Sequence, residues 1–263
     1  MTVTTWTTLI TTADYAPGVI CLAHSLILVR SRARLLCYVT TEQLRDFILT
    51  TAVTTGHKQS PTNLDIIVIP EYLYDDIFAR DISRDHSQFI DAARRFLFRD
   101  GKPFIFLDSD MIVTQNIDEL LDMANQDDAP EVIAVPNFRN KKKGYGDATG
   151  NFNAGMMIVT RPSLADYDNM IRILSAGYND TEEKLLNEIF RNRWTALPIG
   201  YNCQKRAFKL APRVWNGIQA STVGIKILHY VGGKPWQSVE DIRRLDWEGG
   251  CDESMAPYEP LFG

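Results

Sequence analysis

The chain has 263 residues, of which 45% are hydrophobic and 23% are charged, so it can bury a substantial core as one large domain or two small ones. A formal net charge of -5 argues against nucleic acid as the main partner, because phosphate backbones select basic surfaces. The N-terminus lacks the basic region of a signal peptide, and the longest mostly apolar run, residues 18–29, is too short for a membrane span, so we expect a cytoplasmic protein.

The first 110 residues alternate predicted strands with predicted helices. Apolar and β-branched runs predict strands at residues 6–12, 35–40, 66–70 and 104–107. Helical spacing predicts helices at residues 16–30, 42–51 and 88–98, the first of them with Pro17 near its first turn. This alternation is typical of an α/β fold in which a parallel sheet carries helices on both faces.

The second half of the chain has a less regular pattern. We predict strands at residues 132–135, 156–160 and 225–228, and helices at residues 117–124, 164–174 and 182–190. A long polar insert, residues 137–151, separates two of these strands and carries the basic run Lys141-Lys142-Lys143. No internal repeat or low-complexity linker is present, which favours a single domain.

An acidic pair follows the buried strand at residues 104–107. Asp108 and Asp110 are two residues apart, so in extended chain their carboxylates point to the same side and repel unless a cation lies between them. Hard divalent cations prefer oxygen ligands, and ligands of open α/β sheets collect at the carboxyl ends of strands. The pattern predicts a metal site, although a solvated acidic loop is the plainer interpretation. Haloacid dehalogenase-type phosphatases also place D-x-D after a strand, but Ile112 does not fit their pattern.

A histidine follows the last predicted strand. His229 opens the segment HYVGGKPW, in which Gly232 allows close approach of the backbone to a ligand and Lys234 supplies a charge suited to phosphate. A core histidine beside a tight turn is the plainer interpretation. Combined with Asp108 and Asp110, the imidazole favours Mn²⁺ over Mg²⁺, because nitrogen ligands suit softer metals.

Two further polar stretches precede predicted elements. Asn153, Ala154 and Gly155 stand before the strand at residues 156–160, where asparagine and glycine usually form a turn, but they could also hold a sugar or phosphate. Glu182 and Glu183 open a helix, where acidic residues are expected from the helix dipole alone.

Taken together, these motifs resemble glycosyltransferase family 8, the glycogenin and galactinol-synthase group of GT-A enzymes, from Trp6 to Trp236. FLDSDMIVTQNIDELLD resembles the family's metal-binding core, FNAGMMIVTRPS its FNSG strand, and HYVGGKPW its HxxGxxKPW-type ending. The resemblance implies one GT-A-type Rossmann-like domain with a mostly parallel central sheet flanked by helices. Residues 1–110 would form the nucleotide-binding half and residues 111–263 the acceptor- and sugar-binding half.

The resemblance also implies roles for individual residues. The metal ligands would be Asp108, Asp110 and His229. The uracil and ribose of a UDP-sugar would contact Leu9, Thr11 and Tyr15, and its diphosphate would contact Gly232 and Lys234. Thr12, Ser109 and Val231 would also belong to the donor-binding residues. The donor sugar would lie by Asn153, Ala154 and Gly155, with Glu182 and Glu183 as the catalytic pair.

Three positions depart from the family pattern. Thr12 stands where glycogenin-like proteins usually carry asparagine, and Glu182-Glu183 replaces an Asp-Gln pair before the xLLN helix. The family's basic residue in the helix before D-x-D is not clearly present, since Ala92 lies near that place with Arg94 and Arg95 close by. These departures bear on the donor sugar more than on the family.

The implied function is Mn²⁺-dependent, retaining transfer of a hexosyl unit from UDP-glucose, UDP-galactose or UDP-GlcNAc to a hydroxyl of a glycan, small molecule or protein. Mg²⁺ is the alternative metal, and a homodimer is an expected assembly. Same-face attack and a covalent Glu183 adduct both stay open, and Tyr145 is a candidate for self-glycosylation.

Two other functions are weighed against transfer: a non-catalytic nucleotide-sugar-binding protein, and an NDP-sugar nucleotidyltransferase. The latter class typically has a Gly-rich basic loop after strand one, which is absent between Thr11 and Gly18.

Overall fold

The computed structural model describes residues 2–54, 61–69, 101–137, 150–176, 181–210 and 212–237 of the chain. Its strands are β1 (Thr5–Ile10), β2 (Arg34–Val39), β3 (Leu64–Val68), β4 (Phe104–Leu107), β5 (Met111–Val113), β6 (Val132–Pro136), β7 (Phe152–Val159), β8 (Trp194–Ala196), β9 (Cys203–Gln204) and β10 (Ile227–His229).

Seven of these strands form the central sheet, in the order β3-β2-β1-β4-β7-β6-β8. Neighbouring strands from β3 to β4 pair in parallel, as do β6 and β8, whereas β7 runs antiparallel to both β4 and β6. The mostly parallel α/β sheet predicted from the sequence is confirmed, with β7 as the reversed strand. A small second sheet has the order β5-β10-β9.

The α-helices of the described residues are α1 (Ala16–Leu28), α2 (Glu42–Thr54), α3 (Glu119–Ala124), α4 (Leu164–Ser175), α5 (Glu182–Ile189), α6 (Ala207–Leu210) and α7 (Pro212–Ala220). Short 3-10 helices cover Ala13–Tyr15 and Ile199–Asn202. Pro17 lies in the first turn of α1, where its missing N–H removes no helical hydrogen bond. None of the helices in these ranges is long and apolar enough to cross a lipid bilayer.

Both faces of the central sheet are packed, because successive residues of a strand point to opposite faces. Ile105 of β4 belongs to one core, which also contains buried side chains of α1, α2 and α3. Its neighbour Phe106 belongs to the other core, which contains buried side chains of α4 and α5. Helices therefore cover the sheet on both faces. β4 is the fourth of the seven strands, so its carboxyl end lies at the middle of the sheet.

The largest difference from the sequence-based prediction concerns β7. The turn expected at residues 152–155 is wrong, because β7 already begins at Phe152 and all eight of its residues are buried. Asn153 pairs with Val135 of β6, next to an irregularity in the register at Ala134 and Val135. Pairing with neighbouring strands has therefore overridden the local turn preference of asparagine and glycine.

The remaining differences are smaller. β1 and β3 end two residues before the predicted limits, and β10 begins two residues after its predicted start. β5, β8, β9, α6 and α7 were not predicted. The predicted helix at residues 88–98, with Ala92, Arg94 and Arg95, lies outside the described residues, as do positions 138–149 of the polar insert, with Tyr145 and Lys141-Lys142-Lys143.

Candidate active site

The second sheet brings a histidine to the acidic pair. The chain leaves β4 at Leu107, and the Asp108 N–H donates to the Gly155 carbonyl of β7 at 2.7 Å. Asp110 directly precedes β5, whose first residue, Met111, pairs with His229 of antiparallel β10. The Tyr230 N–H then donates to the Asp110 carbonyl at 3.0 Å. Residues more than a hundred positions apart in the sequence are thus fixed side by side by backbone hydrogen bonds.

These side chains form a cluster with the geometry of a metal site. One ligand atom each from Asp108, Asp110 and His229 lies within 4.8 Å of the others. The His229 Nε2 is 3.6 Å from Asp108 Oδ2 and 3.3 Å from Asp110 Oδ1. Two carboxylates and one imidazole are a donor set that suits a divalent transition metal such as Mn²⁺, so the residues present fit such an ion.

Gly155 lies directly against this cluster. A Cβ added at this position would lie 2.5 Å from His229 Cε1 and 2.6 Å from Asp108 Oδ2. Both distances are far below van der Waals contact, so a side chain here would occupy the space between the two metal-binding groups. The strand must therefore carry glycine at this point for the backbone to pass so close.

Lys234 neutralises part of the acidic charge. Its Nζ donates to the Asp110 carboxylate and, at 2.8 Å, to the Tyr230 carbonyl, and it lies 5.6 Å from the centroid of the Tyr15 ring. Burial by itself raises the pKa of Asp110, but the neighbouring His229 and Lys234 side chains outweigh it and hold that pKa below its ordinary value. Burial lowers the pKa of Lys234, and Asp110 outweighs it, so that pKa is raised. The pair is therefore ionised at neutral pH.

The segment after β10 folds across the start of α1. The Trp236 Nε1–H donates to the Asp14 carbonyl at 2.8 Å, and the Trp236 and Tyr15 rings meet edge to face with centroids 6.5 Å apart. Gly18 of α1 allows this approach, since a Cβ there would lie 2.7 Å from the Trp236 ring and 2.5 Å from the Ser109 carbonyl. This packing holds Tyr15, Ser109 and Lys234 on one side of the metal cluster.

A cavity of about 260 Å³ opens beside the cluster. Its walls combine β1 and the turn after it, the acidic pair, the first half of β7 and the start of α5. Most residues predicted to bind substrate line it: Leu9, Thr11, Tyr15, Asp108, Ser109, Asp110, Asn153, Ala154, Gly155, Glu182 and Glu183. Ile10, Phe106 and Thr181 complete the described lining.

Five predicted site residues lie outside that described lining: Thr12, His229, Val231, Gly232 and Lys234. His229 and Lys234 are buried directly behind Asp110. Thr12 is half-buried and its carbonyl accepts from the Tyr15 N–H at 3.4 Å. Val231 is half-buried, and the exposed Gly232 has a positive φ of 87°, which turns the chain back towards the site.

Glu183 is held by donors from two other segments. One of its carboxylate oxygens accepts from Asn137 Nδ2. The other accepts from Asn153 Nδ2 at 2.7 Å and from the Ala154 N–H at 3.4 Å. One helical turn later, Asn187 pairs with both backbone groups of Phe152, at 2.8 and 2.9 Å. The start of α5 is thus fixed to the start of β7, and Glu182 is buried at the cavity wall.

Asn202 is a contact of the site that the sequence analysis missed. Its Oδ1 lies 2.8 Å from His229 Nδ1, on the side of the ring opposite to the carboxylates. Its Nδ2 donates to Asn153 Oδ1 at 2.7 Å. Asn137 and Asn202 carry no local sequence signal, because each acts on a side chain distant in the sequence. Asn187 is the asparagine of the xLLN motif, but its contact with Phe152 required the structure.

The amino-acid sequence that forms this site matches the model of a known family. The model of glycosyl transferase family 8 matches residues 7–240. The chain belongs to glycosyltransferase family 8. A family 8 relative, glycogenin from Neurospora crassa, is 26% identical over 231 residues, which are 84% of this chain and 30% of the relative. The chain thus spans about a third of that relative's length.

Solved structures of glycosyltransferases share the fold of this family 8 chain. The galactosyltransferase LgtC, solved with donor and acceptor sugar analogues, has a TM-score of 0.60 at 18% identity, covering 97% of this chain and 99% of its own. The glycosyltransferase GlyE of Streptococcus pneumoniae TIGR4 has a TM-score of 0.59 at 18% identity, covering 100% of this chain and 62% of its own. The GT-A-type fold expected from the sequence is confirmed.

Proposed function

We propose that this family 8 protein is a Mn²⁺-dependent, retaining glycosyltransferase that moves a hexosyl unit from a UDP-sugar to a hydroxyl acceptor. The observation that supports it best is the convergence of Asp108, Asp110 and His229 at the wall of the cavity that the family resemblance assigns to the donor. A metal cluster and a cavity that share Asp108 and Asp110 are more than a solvated acidic loop requires. The donor set favours Mn²⁺, and Mg²⁺ is the alternative.

The diphosphate would lie against the metal cluster, on the side near Lys234. When bound, the metal would neutralise negative charge on the diphosphate as the leaving group forms. The Lys234 ammonium has three N–H donors, and the contacts to Asp110 and Tyr230 use two of them. The third would donate to a phosphate oxygen. Ser109, Val231 and Gly232 would add backbone contacts to the same group.

The nucleoside would occupy the β1 side of the cavity. Leu9, Thr11 and Tyr15 line that side, and Thr12 fixes the backbone next to it. The half-buried Tyr15 ring lines the cavity and is held edge to face by Trp236, so it would offer an apolar surface to a base or ribose. We assign UDP rather than another nucleotide on the family resemblance.

The donor sugar would lie over the first half of β7, facing α5. Breaking the bond between the anomeric carbon and the phosphate oxygen leaves the sugar with positive character, which carboxylates stabilise. Glu182 and Glu183 both line the cavity and would supply that field, while Asn153 would bind sugar hydroxyls. Because both Glu183 oxygens already accept N–H donors, Glu183 suits electrostatic stabilisation better than attack on the anomeric carbon. We therefore favour same-face attack by the acceptor.

The test is a donor panel of UDP-glucose, UDP-galactose and UDP-GlcNAc with Mn²⁺, in which UDP release and the intact mass of the protein are read together. We expect UDP release with at least one donor, stimulated by added hydroxyl acceptors and abolished in Asp110→Asn. A mass increase of one hexosyl unit would indicate self-glycosylation. Binding without release would instead identify a nucleotide-sugar-binding protein, and pyrophosphate release a nucleotidyltransferase.

A further inference from the structure

We propose that Asn202 is a positioning residue that sets the tautomer of His229, as the last link of a hydrogen-bonded chain anchored at Glu183. We call the four side chains Glu183, Asn153, Asn202 and His229 the amide relay. The inference rests on the proposed metal-dependent function, since it explains how one ligand of the metal is prepared.

The directions of the hydrogen bonds in the amide relay are determined at its start. A carboxylate can only accept and a backbone N–H can only donate. The Gly155 N–H lies 3.1 Å from one terminal atom of Asn153, which must therefore be Oδ1. The other terminal atom of Asn153 faces Glu183 at 2.7 Å and must be Nδ2. Asn153 is thus held in one orientation by two groups that cannot exchange roles.

The same reasoning fixes the next two links. Because Asn153 presents its oxygen, the atom of Asn202 that faces it at 2.7 Å must be Nδ2. Asn202 then presents its own Oδ1 to His229 Nδ1 at 2.8 Å. An amide oxygen can only accept, so Nδ1 must carry the proton. The relay therefore selects the Nδ1–H form of the neutral imidazole.

This tautomer matters because of what the other ring nitrogen faces. With the proton on Nδ1, the lone pair of a neutral His229 is on Nε2, which points at Asp108 and Asp110. That nitrogen is the one able to bind a metal. A hydrogen bond to the distal nitrogen also fixes the ring orientation and raises the basicity of the ligating one. Asn202 thus prepares the ligand without touching the metal or the substrate.

The experiment compares the Mn²⁺ affinity of the wild type with that of Asn202→Leu, by the EPR signal of free Mn²⁺ in the absence of nucleotide. Leucine has a similar size but cannot accept from Nδ1–H. We expect Mn²⁺ binding to weaken by about 10–100-fold, as for other partners of metal-ligating histidines. Asn202→Asp should recover most of the affinity, because its carboxylate also accepts from Nδ1–H.

The matched control is Asn125→Leu. Asn125 makes three side-chain hydrogen bonds, to both backbone groups of Val3 and to the Leu121 carbonyl. Val3 precedes the amino end of β1, whereas the candidate site lies beyond its carboxyl end. Its loss should lower the melting temperature of the metal-free chain and leave Mn²⁺ affinity unchanged. Where Asn202→Leu does not fold, Asn202→Ala, which adds no bulk, gives the same comparison.

The possible results separate this inference from the proposed function. A folded Asn202→Leu or Asn202→Ala chain with wild-type Mn²⁺ affinity would overturn the role of Asn202 and leave the proposed function intact. Failure of Asn202→Asp to recover affinity would also overturn it, because donation to Asn153 rather than acceptance from His229 would then be what matters. A wild-type chain that binds no Mn²⁺ would overturn both.

Discussion

Replacing Gly155 with alanine tests the steric description of the metal cluster. The added Cβ would lie 2.5 Å from His229 Cε1 and 2.6 Å from Asp108 Oδ2. Carbon atoms in contact are about 3.5–4.0 Å apart, so the imidazole must move by about 1 Å or the strand must shift by a similar amount. Neither group can move freely. His229 pairs with Met111 of β5, and Gly155 lies within β7, whose residues are all buried.

We expect Gly155→Ala to lower both the stability of the metal-free chain and its affinity for Mn²⁺. Overpacking in a rigid core typically costs about 1–3 kcal/mol, which would lower the stability of the metal-free chain. Displacement of two metal ligands should weaken Mn²⁺ binding as well, by tenfold or more if about 1.4 kcal/mol of the strain falls on the bound state. Calorimetric Mn²⁺ titration and thermal unfolding with and without Mn²⁺ measure these two losses separately.

Gly217→Ala is the matched control for this substitution. Gly217 lies in α7, and a Cβ there would meet nothing within 4 Å. The change should leave Mn²⁺ affinity unchanged and stabilise the fold by about 0.5–1 kcal/mol, because glycine is unfavourable in a helix. Wild-type stability and Mn²⁺ affinity in Gly155→Ala would refute the steric argument.

Three further predictions follow from the contacts of the site. Glu183→Gln should keep donor binding and lower kcat strongly, and unchanged turnover in steady-state kinetics would remove Glu183 from catalysis. Lys234→Met should destabilise the chain by about 3–5 kcal/mol near pH 7, because it leaves Asp110 buried without its cation, as denaturant unfolding can measure. Since the folded-state pKa of Asp110 is lowered, this difference should be fully present above its ordinary value of 3.8 and be lost only as the pH falls from there through the lower folded-state pKa. Mn²⁺ at a hundred times its Kd should stabilise the chain by about 2.7 kcal/mol, an effect that EDTA reverses and Asp108→Asn abolishes.

The first half of the fold could be predicted because its signals are local. β1, β2, β3 and β4 are strands of four to six residues, with α1 between the first two and α2 between the second and third. Each is a compact apolar or β-branched run, as expected for strands covered on both faces. The resulting βαβ alternation implies a parallel sheet without knowledge of the pairing.

Several strands in the second half of the chain could not be predicted, because they depend on pairing with distant segments that no local sequence pattern indicates. β5, β9 and β10 have two or three residues each, and β10 is the strand between the other two. It pairs with β5, which lies more than a hundred positions earlier in the sequence, and with β9, which lies 25 positions earlier. β7 includes Asn153 and Gly155, whose turn preference was outweighed by strands on both sides. Short strands with such residues are defined by their neighbours rather than by their own propensity.

The residues of the candidate site also fall into those that a local sequence pattern predicts and those that it does not. Asp108, Asp110 and His229 could be singled out because few side-chain types bind a metal and each follows or ends an apolar strand. Asn202 could not, since an asparagine that orients another side chain looks in sequence like any loop asparagine. Likewise, only the structure shows that the Glu183 carboxylate accepts hydrogen bonds from Asn137 and Asn153.

The most direct test of the account is a crystal structure of the chain with UDP and Mn²⁺, with the metal located by its anomalous scattering. We predict one Mn²⁺ bound by Asp108, Asp110 and the Nε2 of His229, with the diphosphate on its open side and Lys234 within hydrogen-bond distance of a phosphate oxygen. A diphosphate bound elsewhere, or a metal from which the imidazole of His229 is turned away, would contradict it.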